Sequence, residues 1–100
     1  MSRDDWASLI DETLLTLDEL CRVGTVSPDW VRARVDAGLL AAAGRAGAPW
    51  AFEPRAVERV RCMIRMERDF DAVPELAALV ADLEAEIRRL RTQLRAAGLT

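Results

Sequence analysis

The sequence predicts a mainly α fold, a winged helix-turn-helix followed by a long C-terminal helix. Three observations predict it. Two helix starts, Thr16-Leu17-Asp18-Glu19 and Ser27-Pro28, stand about ten residues apart, each followed by a glycine stop at Gly24 and Gly38. A Gly-rich stretch, AAAGRAGAP, lies between two short apolar runs and reads as the loop of a hairpin. Finally, Leu76, Val80, Leu83, Ile87, Leu90, Leu94 and Ala97 recur at steps of 4 and 3, a heptad seam of about three repeats.

Taken in order, residues 1–13 form an N-terminal arm. Trp6, Leu9 and Ile10, with Leu14 and Leu15, suit either one apolar helix face or a loose arm with a short strand near Leu14 and Leu15. Residues 14–73 form the winged helix-turn-helix and 74–97 the dimerisation helix. In the first helix the Thr16 hydroxyl and the Glu19 carboxylate cap each other's backbone amides, and Leu17, Leu20 and Cys21 share a face. Gly24 ends it. Ser27 caps the second helix, Pro28 takes the first helical position, and Val26 and Val31 are spaced for a hydrophobic staple. After Gly38, Leu39 and Leu40 continue as a short strand, and Trp50-Ala51-Phe52 returns as its partner. Glu53-Pro54 opens a third helix running to about residue 71. Val73-Pro74 breaks the chain there, because the residue before proline is pushed out of the helical region.

Charge narrows the ligand. The net charge is −3, with 14 basic residues, all arginine, against 17 acids. Residues 1–30 hold seven acids against Arg3 and Arg22. A DNA-binding domain carries a basic footprint because phosphate neutralisation supplies most of its affinity. This N-terminal third opposes it, so nucleic acid is not the main ligand, though Arg32, Arg34 and Arg45 are candidate contacts for it. Cys21 and Cys62 have no nearby Cys or His, so no metal or other cofactor is expected and both read as small buried hydrophobes. With no His, no Lys, no phosphate loop and no base placed beside a serine, the chain is expected to be non-enzymatic. The opening MSRDDWASLIDE lacks the apolar run of a signal peptide, and no segment reaches the ~20 apolar residues of a membrane span. A cytoplasmic protein is expected.

The last helix also predicts its own partner. A terminal helix this long cannot hide its apolar stripe against so small a body. Glu75, Asp82, Glu84 and Glu86 lie in its first half, and Arg88, Arg89, Arg91 and Arg95 in its second. A parallel mate would oppose like charges; an antiparallel mate sets acid against base, with Glu84 and Arg91 pairing reciprocally. The expectation is an antiparallel homodimer through Leu76, Val80, Leu83, Glu84, Ile87, Leu90, Arg91 and Leu94.

The order of elements resembles the MerR regulators, and LTLDELCRVGTVSPDWVRARVDAGLL resembles their opening. A narrower resemblance is to the chaperone modulator CbpM family. It is carried by LTLDELC, VSPDWVRARVDAGLL, PWAFEPRAVERV and RMERDFDAVPELAALVADLEAEIRRLRTQL, over about residues 14–97. That resemblance implies a dimeric, MerR-like protein that binds the J-domain of a DnaJ-like co-chaperone of the CbpA type and inhibits its stimulation of DnaK. DNA-binding MerR proteins have a basic residue after the turn serine and Arg-Tyr-Tyr along the second helix. Here Asp29 follows the turn, Arg32 matches the arginine, Ala33 and Arg34 replace the tyrosines, and Trp50 occupies the wing position. An acid at that helix start repels phosphate. The alternative function, a MerR-like transcription regulator, is weakened accordingly. J-domains present a basic helix to DnaK, so Asp18, Glu19, Asp29 and Asp36 are the candidate charged contacts and Trp30 and Leu40 the apolar ones.

Overall fold

The computed structural model describes residues 14–44 and 47–99. The predicted N-terminal arm, residues 1–13, lies outside the described residues. The fold is mainly helical. Its elements are β1 (Leu15–Thr16), α1 (Leu17–Gly24), α2 (Pro28–Asp36), β2 (Ala51–Phe52), α3 (Arg55–Phe70) and α4 (Pro74–Ala96). The chain divides into two compact units, residues 1–60 and 61–100.

In the first unit the caps form as the sequence predicts. Thr16 Oγ1 accepts from the Glu19 amide at 3.1 Å, and the Thr16 amide donates to Glu19 Oε1 at 3.0 Å. Ser27 Oγ accepts from the Trp30 amide at 3.1 Å, with Pro28 at the start of α2. At the end of α2, Gly38 takes the left-handed conformation (φ +75°). The Gly38 amide donates to the Val35 carbonyl and the Leu39 amide to the Arg34 carbonyl, satisfying carbonyls the helix leaves open.

Gly24 has a different role from the predicted stop. The left-handed residue after α1 is Thr25, at φ 58° and ψ 50°, and the Val26 amide closes the turn on the Cys21 carbonyl at 3.0 Å. Gly24 is instead the last helical residue and is buried. A Cβ there would stand 2.8 Å from Val60 Cγ1. Val60 is fully buried and β-branched, so it cannot turn aside. Gly24→Ala is therefore expected to destabilise by about 1–3 kcal/mol, less the ~1 kcal/mol Ala gains in helix propensity. Val60→Ala should recover part of that loss in the double variant, which a thermal-melt double-mutant cycle would read as non-additivity. Thr25→Gly should act oppositely. A β-branched residue in the left-handed region is strained, so relief is expected to raise stability by about 0.5–1 kcal/mol, or several degrees in Tm. An unchanged or lower Tm would refute it.

The small sheet also differs from the expected hairpin. Leu39 and Leu40 are not a strand. The Leu39 amide is spent on closing α2, and its carbonyl accepts from Arg59 Nε at 2.8 Å. Ala43, further along, makes a single bridge to Ala51. β1 supplies the other neighbour: Leu15 pairs with Phe52 and Thr16 with Ala51, antiparallel. β2 is thus central, and a strand near Leu14 and Leu15 is realised as β1. Below it, Leu20, Cys21, Val31, Leu40, Phe52, Ala56 and Val60 form the core, with Val26, Trp30, Val35, Trp50 and Val57 packed against it. Trp50 meets Phe52 edge-on at 6.3 Å.

The second unit contains the later part of α3 and all of α4. Cys62, Met63, Ala77, Ala78 and Ala81 are buried in it, and Arg65 on α3 holds Glu84 on α4 at 2.8 Å. Between these helices Asp71 takes a left-handed conformation at φ 52°. Both cysteines are free and buried, as the sequence predicts. Burial raises both thiols above the ordinary cysteine range, reinforced by Asp18 near Cys21 and by Glu84 near Cys62.

Candidate functional site

The first unit exposes one helix face with a distinctive arrangement of charge. Val31 is fully buried and Val35 and Trp30 half-buried, so the side of α2 turned outward carries Asp29, Arg32, Ala33 and Asp36. The helical period dictates this, since residues three and four apart share a face. Arg32 Nη1 lies 3.5 Å from Asp29 Oδ1, with the Asp29 side chain 96% exposed. A long pair in open water adds little stability, so Asp29 keeps most of its capacity to attract a cation. Asp36, one turn on from Arg32, is also exposed.

Trp30 flanks this face. It packs on the core from one side, and the Arg34 guanidinium lies over its ring at 4.3 Å from the centroid. The stack is a cation–π contact at i, i+4 spacing. That spacing is legible in the sequence, but composition alone does not announce it. Trp30 is therefore a half-covered shoulder of the surface.

The remaining candidates fall in different places. Glu19 is committed to its cap. The Thr16 backbone amide, then the Thr16 hydroxyl, hold its carboxyl below the usual range, and a carboxylate anchored there is a poor partner contact. Asp18 stands beside it, exposed. Leu40 must be withdrawn as an apolar contact: at 3% exposure it is core, packed in the cluster with Phe52 and Val60. It became a core residue because the chain after α2 turns inward instead of running on as a wing strand. Of the candidate nucleic-acid contacts, Arg32 leans on Asp29 and Arg34 on Trp30; Arg45 lies outside the described residues.

The second unit exposes an apolar stripe. Leu76, Leu83, Ile87, Leu90 and Leu94 are each 41–55% exposed, with Leu79 beside them and Val80 half-buried. On the opposite side of α4, Ala77, Ala78 and Ala81 are buried. Glu84, at the edge of that alanine face, is engaged by Arg65, and Arg91 is exposed. Glu86 pairs within the helix with Arg89, whose guanidinium lowers the Glu86 carboxyl. No group of three or more potential ligands that could hold a metal occurs among the described residues. Nor is any described helix long and apolar enough to cross a membrane.

The comparisons with known proteins point the same way as the quoted segments. The chain is 29% identical, over 79 residues, to the chaperone modulatory protein CbpM of Pseudomonas entomophila (strain L48). The alignment covers 79% of this chain and 78% of that protein. No protein-family model matches the chain, and no solved structure matches it significantly. The resemblance to the CbpM family is borne out.

Proposed function

For a chain that is a relative of the CbpM chaperone modulators, we propose a non-enzymatic, cytoplasmic adaptor that binds the J-domain of a DnaJ-like co-chaperone. It does so with the outer face of α2 and thereby holds down that co-chaperone's stimulation of DnaK. In this reading α1, the turn at Thr25 and α2 are the helix-turn-helix of a MerR-like winged fold, with Ala43 and β2 as its reduced wing. The adaptor works as a homodimer, joined antiparallel through the leucine stripe of α4.

The observation that carries the proposal is the pair Asp29 and Asp36. The similarity to a chaperone modulatory protein runs across most of the chain, and at the place where a DNA-reading helix needs cations, α2 turns two acids outward. A J-domain offers a basic helix to DnaK. Two acids on one face, two turns apart, attract that helix, speed its capture, and exclude DnaK by occupying the same surface. The Trp30–Arg34 shoulder supplies the large, rigid contact beside them. Transcription regulation gains no support from α2, where Asp29 and Asp36 share the outward face with Arg32 and Arg34 is stacked on Trp30.

The test is DnaK ATPase stimulated by the host's J-protein. Addition of the adaptor should suppress the stimulation, and Asp29→Arg with Asp36→Arg should weaken suppression roughly tenfold, taking about 0.5–1 kcal/mol for each charge reversed at an exposed rim. Stimulation that persists undiminished at saturating adaptor would refute the proposal.

A further inference from the structure

Helix α4 has two apolar faces, and the molecule uses one. The alanines Ala77, Ala78 and Ala81 are buried, and Arg65 reaches Glu84 at the edge of that face. The large side chains lie across the helix and stay exposed. Beyond Glu84, every described residue of the chain is exposed. A helical segment of a dozen residues with no packing partner is marginal in water, so the stripe requires an occupant. Its alternating steps of 4 and 3 match the seam of a second helix of the same kind.

We infer that a second copy closes this stripe antiparallel in one definite register, with Ile87 facing the partner's Leu90. This rests on the dimer reading above and goes further by fixing the alignment. In an antiparallel pair the two apolar heptad positions face one another, and facing residue numbers keep a constant sum. Two alignments then cover most of the stripe. In the first, Ile87 faces the partner's Leu90, Leu83 the partner's Leu94 and Val80 the partner's Ala97. In the second, slipped by one heptad, Ile87 faces the partner's Leu83.

Charge separates the two. The slipped alignment brings Glu84 towards the partner's Glu84 and Glu86 towards the partner's Glu86, acid on acid about the two-fold axis. The first alignment sets Glu84 beside the partner's Arg91, and by symmetry does so twice. Flanking charges of this sort set partner orientation and register in coiled coils. Arg65 then gains a role: by holding one carboxylate oxygen of Glu84 at 2.8 Å, it fixes the side chain that the partner's Arg91 completes. Arg65 is a positioning residue for the interface.

The experiment is disulfide trapping under mild oxidation in the full chain, where native Cys21 and Cys62 are buried. Leu83→Cys with Leu94→Cys should give covalent dimers on a non-reducing gel, whereas Leu83→Cys alone and Leu83→Cys with Ile87→Cys should not. Covalent dimers from Leu83→Cys alone would mean a parallel pair. From Leu83→Cys with Ile87→Cys only, they would mean the slipped alignment. Either result, or a dimeric mass with no trapping in any variant, overturns the register. A monomeric mass for the unmodified chain overturns the dimer reading beneath it.

Discussion

Replacing Ile87 and Leu90 together with aspartate is expected to turn the proposed dimer into a monomer. Both side chains are close to half exposed in the single chain, so the substitutions leave the buried alanine face of α4 intact. Each lost apolar contact is worth roughly 1–1.5 kcal/mol at ~25 cal/mol per Å². Two positions in each of two chains make about 4–6 kcal/mol, equivalent to a ~10³–10⁴-fold weaker dimer. Light scattering at micromolar concentration should fall from twice the 11.1 kDa chain mass to a single chain. The Tm should also lose its dependence on protein concentration, since self-association stabilises by mass action. A variant that keeps the dimeric mass would place the interface elsewhere.

The second large effect lies in the first unit. Phe52 is fully buried, its backbone pairs with Leu15, and its side chain packs in a cluster with Leu20, Val31 and Leu40. Phe52→Ala is expected to cost about 3–5 kcal/mol through lost transfer energy and the cavity left behind. For a small domain with ~5–15 kcal/mol in total, that consumes much of the stability. Trp50→Ala, at a half-buried neighbour, should cost clearly less. Urea unfolding of the two variants measures the difference, and a Phe52→Ala loss below about 1 kcal/mol would mean that the core is centred elsewhere.

The candidate surface was only partly legible beforehand. Asp29 and Asp36 could be placed together on the open side of α2 because Ser27, Pro28 and the valine spacing set that helix's rotation. Leu40 could not be placed, because whether the chain continues as a strand or dives into the core depends on what lies beneath it. Glu19 carried two meanings in the sequence, cap or contact, and the Thr16 geometry gives it the cap. Glu84 illustrates the same limit on α4: its heptad position is plain, but Arg65 is 19 residues away in the chain and its approach is a tertiary fact.

The sequence by itself determined the caps at Thr16 and Ser27, the left-handed stop at Gly38, the break before Pro74 and the leucine spacing of α4. These depend on hydrogen bonds and periodicities spanning three to seven residues, within which local residue chemistry decides the outcome. Only the tertiary structure decided that Gly24 is small to admit Val60, that Thr25 bears the left-handed turn, and that β2 pairs with Leu15 as well as Ala43. It also decided which side of α4 the fold covers. Both the alanine and the leucine stripes are apolar, and periodicity ranks the leucines first. The buried residues on α4 are nonetheless the alanines, whose small side chains permit close approach, and the leucines are left exposed.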